Sequence, residues 1–213
     1  WGIYDGPFLQ YMACKLNDFK EPFAATVFTL SSHHPYSLPE NYVLPDTSIN
    51  TPFERTIRYV DEALNDFFTT ASKQKWFENT IFIITADHVN PDHYFDEYKN
   101  IAGSYRVPIA FYAPQFIENK ESQEIAQHLD IGVSVLAALG INDSIISFGR
   151  NLFDSIQQPG YISYLNNIYQ FSDGEFLMQS DGKNIVKIYE IKKDIHLKNN
   201  IYNDDYENWA KLD

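Results

Sequence analysis

The chain has 213 residues, a length that suits one sizeable domain or two small ones. Its composition is 44% hydrophobic, 21% charged and 16% aromatic, which excludes a disordered chain, a collagen-like repeat and a coiled coil. Sixteen basic against 29 acidic residues give a formal net charge of −13, so nucleic acid is a poor partner and a polybasic membrane anchor is absent. No apolar run approaches the roughly 18 residues of a membrane span, and the single cysteine, Cys14, cannot form an internal disulfide.

The first part of the chain alternates between strand and helix patterns. Short β-branched runs predict strands at residues 22–31, 80–86 and 107–112, the first two with both faces buried. Apolar residues at helical spacing predict helices over residues 52–77 and 121–139. Such alternation is typical of a mostly parallel sheet flanked by helices, so the expected fold class is α/β.

Two helix signals are specific enough to place residues. Thr51 suits an N-cap, with Pro52 in the first turn and Glu54 at the position that completes a capping box. The predicted buried face of this helix consists of Ile57, Val60, Leu64, Phe67 and Phe68. Gly140 is expected to stop the second helix.

The sequence pattern changes after Pro159. Four short strand patterns are separated by an Asn-Asn pair and two Asp-Gly pairs, at residues 166–167, 173–174 and 181–182. Such pairs are strong hairpin signals, so we expect a small C-terminal antiparallel sheet. The expected domain organisation is a catalytic portion over residues 1–158 and an antiparallel subdomain over residues 159–213, which ends in an amphipathic tail.

Asp87 and His88 follow the most apolar predicted strand directly. Ligands of open α/β sheets gather where strands end, and a carboxylate beside an imidazole suits a divalent metal. The alternative is structural, with Asp87 capping a turn and His88 merely exposed.

A second polar segment, Ser31 to Tyr36, lies beyond the first predicted strand and contains the adjacent histidines His33 and His34. A histidine at such a strand end can donate to an oxyanion or protonate a leaving group. His93 is a further candidate from the loop after His88, although a solvated loop histidine explains it equally well. Trp1 and Asp5 could line a pocket for a polar headgroup, although a core tryptophan is the simpler interpretation of Trp1.

Taken in order, these segments resemble the alkaline phosphatase and sulfatase superfamily, and within it the lipoteichoic acid synthase-like branch of phosphoglycerol transferases and sulfatases. The resemblance covers residues 1 to about 155 in unbroken order. The matching segments are Trp1–Asp5, Thr29–Tyr36, Thr85–His88, Tyr105–Tyr112, His128–Ile131 and Ser147–Phe153.

This resemblance implies a metal-dependent transfer or hydrolysis at a phosphate or sulfate ester, with a lipid headgroup or a glycan among the candidate substrates. Asp87 and His88 match two ligands of a divalent metal (Mn, Zn, Mg or Ca), and His33 matches a histidine that contacts the substrate oxyanion. Trp1, Asp5 and His93 are the expected substrate-binding residues. The metal would lower the pKa of the nucleophile and polarise the ester oxygen, and a covalent phospho-threonine intermediate would follow.

One departure from the family pattern stands out. No segment of this chain matches the family's nucleophile or its first acidic metal ligand, which in the family precede the Trp-Gly motif. We therefore expect the C-terminal part of a larger enzyme that is inactive by itself and covers an exposed surface by self-association. The resemblance further implies the extracytoplasmic face of a bacterial membrane, with any membrane contact made through a preceding segment. The alternatives are a sulfuric-ester or phosphodiester hydrolase on the same scaffold, and a non-catalytic binding module that keeps the fold.

Overall fold

The computed structural model of the protein describes residues 2–45, 48, 51–92, 95–113, 115–117, 120–141, 143–154 and 160–202. The chain forms two compact units, each described separately below. Unit 1 comprises residues 1–82 and 112–117, and unit 2 comprises residues 83–111 and 118–213. In the described ranges, no helix combines the length and the apolar character needed to cross a bilayer.

The core of unit 1 is a pair of packed helices, α1 (Asp5–Lys15) and α2 (Pro52–Ala71). Helix α2 begins with the predicted capping box, in which Thr51 Oγ1 accepts from Glu54 N at 3.1 Å and Thr51 N donates to Glu54 Oε2 at 3.1 Å. It ends at Ala71 rather than at residue 77. Helix α1 was not predicted. The buried residues shared by this core are Leu9, Ala13, Leu16, Ala63, Phe67, Ala71 and Trp76.

The buried face of α2 is rotated from the predicted one. Thr56, Tyr59, Ala63, Phe67 and Ala71 are buried. Of the predicted face, Phe67 is confirmed as buried and Leu64 and Phe68 are partly buried against the core, whereas Ile57 is 43% exposed. The three alanines of this core, two on α2 and one on α1, lie almost fully buried beside larger residues such as Leu9 and Phe67. Helical spacing alone could not select this face, because large apolar residues occupy the adjacent stripe as well.

Much of the aromatic content of unit 1 lies beside this core. Phe82 lies between Phe67, Phe68, Phe77 and Tyr112, with ring centroids 5.1–6.2 Å apart. The pairs of Phe82 with Phe67 and Phe68 are edge-to-face, an arrangement that adds stability beyond the area that the rings bury. The strands β1 (Phe82–Thr85) and β2 (Ile109–Tyr112) pair in a two-stranded sheet, and both are shorter than predicted.

The predicted strand at residues 22–31 was wrong. The segment forms no strand in the structure, and Phe28 is 65% exposed. An apolar β-branched run becomes a buried strand only where neighbouring strands pair with it, and in the described part of the chain none does. Phe23 and Val27 instead pack against the helical core of unit 1.

In unit 2, helix α3 spans His128–Ala138, so residues 121–127 of the predicted helix are not helical. Its first turn is closed by Asp130, whose Oδ2 accepts from Gln127 N at 2.9 Å. The helix ends before Gly140, which has a φ of +70°, as predicted.

The second sheet is the predicted antiparallel meander. It consists of β3 (Tyr161–Leu165), β4 (Ile168–Ser172), β5 (Phe176–Ser180) and β6 (Ile185–Glu190), in sequence order. The tight turns contain residues with positive φ, namely Asn166, Asn167, Gly174 and Gly182. The α/β fold class is therefore confirmed, with helices beside a two-stranded and a four-stranded sheet among the described residues.

Candidate active site

Asp87 and His88 lie immediately beyond β1, in unit 2, where the strand gives way to a loop. Their side chains are 53% and 64% exposed, and His88 Nε2 is 3.5 Å from Asp87 Oδ2. His88 Nδ1 is 2.8 Å from the carbonyl oxygen of Val89. A carbonyl only accepts hydrogen bonds, so Nδ1 carries a proton, and Nε2 is the ring nitrogen left to bind a metal.

This arrangement fits two ligands of a divalent cation. Metal-binding histidines commonly donate the other ring N–H to a carbonyl, which fixes the tautomer and the ring orientation. Among the residues that the structure describes, no third histidine, cysteine or acidic side chain joins this pair in a metal-binding group. Two ligands are fewer than a stable site requires, so this pair fits part of a metal centre.

A residue that the sequence did not single out lies at the same strand end. His128, the first residue of α3, has Nε2 2.9 Å from the carbonyl oxygen of Ala86 and 3.3 Å from Thr85 Oγ1. Thr85 Oγ1 donates to the carbonyl of Pro108 at 2.8 Å. The available signal was a histidine in the motif His128–Ile131, at the start of a helix, but nothing in the sequence linked that helix to β1.

His33 lies in unit 1, in a segment shaped by two turns. Its N–H donates to the Leu30 carbonyl and its carbonyl accepts from Tyr36 N, both at 3.0 Å. His33 Nδ1 donates to the His34 carbonyl at 2.7 Å, so Nδ1 is protonated and Nε2 is the remaining ring nitrogen. The side chain lines a cavity of about 260 Å³, together with Gly2, Ile3, Tyr4, Leu30, Ser31, Pro35 and Ser37.

Asp5 supports one wall of this cavity. It is fully buried at the start of α1, and its Oδ1 accepts from Leu30 N, Ser31 N and Ser31 Oγ at 2.9–3.1 Å. Asp5 therefore fixes the backbone of Leu30 and Ser31, both of which line the cavity. Ser31 in turn accepts from Asp5 N at 2.9 Å, and it is a residue that the sequence did not predict for the site.

The first turn of α1 has no free N–H group at Asp5 or Gly6. Gly6 N donates to the Tyr59 hydroxyl at 3.0 Å, and burial raises the pKa of Tyr59. These bonds occupy donors that would otherwise attract an anion to the helix N-terminus. Among the described residues that line the cavity, His33 is the one whose side chain can carry a positive charge.

Trp1 and His93 lie outside the described residues, so their assignment to substrate binding stays a prediction. Among the other predicted site residues, Asp87 and His88 are adjacent in unit 2. In unit 1, His33 lines the cavity, and Asp5 lies behind it and holds the lining residues Leu30 and Ser31.

Comparison with known proteins shows which family the chain belongs to. The family model described as Sulfatase matches residues 1–141. Lipoteichoic acid synthase 1 of Bacillus subtilis (strain 168) is 26% identical over 99% of this chain, and lipoteichoic acid synthase of Staphylococcus aureus (strain USA300) is 23% identical over 96%. The chain spans only 37% and 36% of the lengths of these two proteins.

Solved structures agree at the level of fold. A protein in the alkaline phosphatase superfamily from Vibrio parahaemolyticus superposes with a TM-score of 0.74 at 23% identity. The superposition covers 89% of this chain and 47% of that protein. Because the Sulfatase model matches most of this chain, the chain belongs to the Sulfatase family, and it has a fold of the alkaline phosphatase superfamily.

Proposed function

We propose that the whole protein containing this chain transfers a group at a phosphate ester with the help of a divalent metal. In this proposal Asp87 and His88 supply two metal ligands, and His33 contacts the oxyanion of the transferred group. The nucleophile and the remaining acidic ligand come from residues outside this chain, so the chain alone is inactive.

The observation that supports the proposal is the orientation of the Asp87–His88 pair. The carbonyl of Val89 holds His88 Nδ1–H, which leaves Nε2 as the possible metal ligand, 3.5 Å from Asp87 Oδ2, and both side chains are open to solvent. A second bond holds the carboxylate, because His88 N donates to Asp87 Oδ1 at 2.9 Å. A bound divalent metal would supply charge stabilisation and a lowered pKa for the nucleophile at this point.

His33 is suited to the oxyanion because its backbone is held on both sides and its ring is oriented by the His34 carbonyl. Nδ1 already donates to that carbonyl, so contact with an oxyanion falls to Nε2, and Nε2 donates only when the ring carries both protons. The imidazolium form then adds a positive charge next to a cavity that has no other charged side chain among its described lining residues. A charged donor aimed at developing negative charge is worth about 10²- to 10³-fold in rate.

The class of reaction rests on the relatives. Their names describe the synthesis of lipoteichoic acid, which favours transfer of a phosphate-linked group to an acceptor over simple hydrolysis. The family is nevertheless named for sulfate-ester hydrolysis, and that activity is the second candidate.

We place the catalytic portion in residues 1–158 and the antiparallel subdomain in residues 159–213. By family similarity, we place the protein on the extracytoplasmic side of the membrane. We also propose that the isolated chain self-associates, and light scattering of the purified chain would measure this.

The decisive experiment compares variants of the whole protein for both bound metal and turnover of p-nitrophenyl esters. Asp87→Asn and His88→Ala are expected to lose metal and activity together, because each removes one ligand. His33→Ala is expected to retain the metal while turnover falls about 10²- to 10³-fold. Parallel assays with phosphate and sulfate esters separate the two candidate activities.

Asp143→Asn is the matched control, since it removes one exposed carboxylate of unit 2 outside the proposed site. It should change neither metal content nor rate. Unchanged activity in Asp87→Asn would overturn the metal assignment. Turnover by the purified 213-residue chain with Mn²⁺ or Zn²⁺ would overturn the proposal that essential groups lie outside it.

A further inference from the structure

We infer that His128 is a positioning residue for the Asp87–His88 pair, an inference that rests on the proposed function of that pair. His128 does not belong to the predicted site, and it reaches the end of β1 from the start of a helix, 42 residues further along the chain than Ala86. Its role follows from the one backbone group that it contacts most closely, the carbonyl of Ala86.

The Ala86 carbonyl belongs to the same planar peptide unit as the N–H of Asp87. A hydrogen bond to that oxygen therefore restrains the rotation that sets the direction in which Asp87 leaves the strand. His128 Nε2 makes this bond at 2.9 Å. Because a carbonyl only accepts, Nε2 must carry a proton, and the ring donates to Ala86.

Thr85 completes the restraint on the strand end. Its Oγ1 lies 3.3 Å from His128 Nε2 and donates to the Pro108 carbonyl at 2.8 Å. Thr85 Oγ1 also lies 3.2 Å from the Ala86 carbonyl oxygen, but the Pro108 oxygen is closer and takes its proton, so the Thr85 hydroxyl accepts from the His128 ring. One N–H group thus links α3 to two consecutive residues, the last two before Asp87.

The helix that carries His128 is itself firmly anchored. Asp130 is fully buried, and its carboxylate accepts from Gln127 N at 2.9 Å and from Arg150 N at 2.8 Å. Ser134 Oγ accepts from Leu152 N at 2.9 Å. The first two turns of α3 are therefore tied to the segment 150–152, which fixes the backbone position from which His128 reaches the strand end.

Outer-shell partners of this kind typically change metal affinity by about 10- to 100-fold when they are removed. We therefore expect His128→Ala, in the whole protein, to weaken Mn²⁺ binding by about 10- to 100-fold, measured by electron paramagnetic resonance titration of free Mn²⁺. His128→Gln should restore most of the affinity, because its amide nitrogen occupies nearly the position of Nε2 and donates to Ala86. His196→Ala, a histidine beside Asp96 and Lys198, is the control and should bind Mn²⁺ normally.

His128→Asn covers the case in which the alanine variant does not fold, as judged by circular dichroism. Its amide is one bond too short to reach Ala86, so Mn²⁺ binding weaker in the asparagine than in the glutamine variant supports the inference. Equal affinities in these two variants, or wild-type affinity in His128→Ala, would overturn it. Asp87→Asn is measured in parallel. If that variant also binds Mn²⁺ normally, the metal assignment fails as well, whereas a loss confined to Asp87→Asn refutes only the role of His128.

Discussion

Replacement of Asp130 is expected to be among the most damaging single changes in unit 2. The carboxylate is fully buried and accepts two backbone N–H groups, one from Gln127 before α3 and one from Arg150. The Arg150 side chain, 12% exposed, lies with its Nε 4.0 Å from Asp130 Oδ2. Asp130→Ala therefore removes two charge-assisted bonds and leaves a largely buried guanidinium without its carboxylate.

The magnitude follows from these contacts. A hydrogen bond to a charged group contributes about 1.5–3 kcal/mol net, and removal of one partner of a buried pair costs about 3–5 kcal/mol. These two figures describe overlapping contributions, so we expect Asp130→Ala to lower the free energy of unfolding by about 3–5 kcal/mol. Asp130→Asn keeps one acceptor oxygen and should lose about 1.5–3 kcal/mol.

Urea unfolding of the purified chain, followed by far-ultraviolet circular dichroism, measures both values. Asp143→Ala serves as the control, because it removes the same charge from an exposed position of unit 2 and should stay within about 0.5 kcal/mol of the wild type. The reasoning would be refuted if Asp130→Ala unfolded at the same urea concentration as Asp143→Ala.

Three further predictions concern backbone and charge. A Cβ on Gly149 would lie 1.9 Å from the Leu129 carbonyl oxygen, so Gly149→Ala should lower the free energy of unfolding by about 1–3 kcal/mol or more. Gly132, inside α3, has open space around it, so Gly132→Ala should raise the free energy of unfolding by about 0.5–1 kcal/mol. Urea unfolding measures both values. Thr51→Ala removes the cap of α2 and should lower the free energy of unfolding by about 1 kcal/mol and weaken the circular dichroism signal at 222 nm. No change in either quantity would show that the cap contributes nothing. Backbone N–H groups of Asn184 and Lys183 lower the pKa of Asp181 below 3.8. Its stabilisation is therefore present above 3.8 and is lost as the pH falls through the folded pKa, so the thermal midpoint of Asp181→Asn should depend less on pH in that acidic range.

Local signals in the sequence predicted the elements that depend on local geometry. The capping box at Thr51 and Glu54 and the turns of the C-terminal meander were confirmed, because capping and hairpin formation depend on residues only a few positions apart. The strand predicted at residues 22–31 was wrong for the opposite reason. A strand exists through its partners, and partners are not encoded in the segment itself.

For the candidate site, the sequence by itself determined the family motifs and therefore the residue types, with Asp87 beside His88 and His33 two residues before Pro35. Only the tertiary structure decided which nitrogen of each histidine is held by a carbonyl, and that His128 reaches the carbonyl before Asp87. Motif chemistry is local and can be recognised along the chain. Hydrogen bonds between residues 42 positions apart depend instead on how helix and strand pack, which no local pattern specifies.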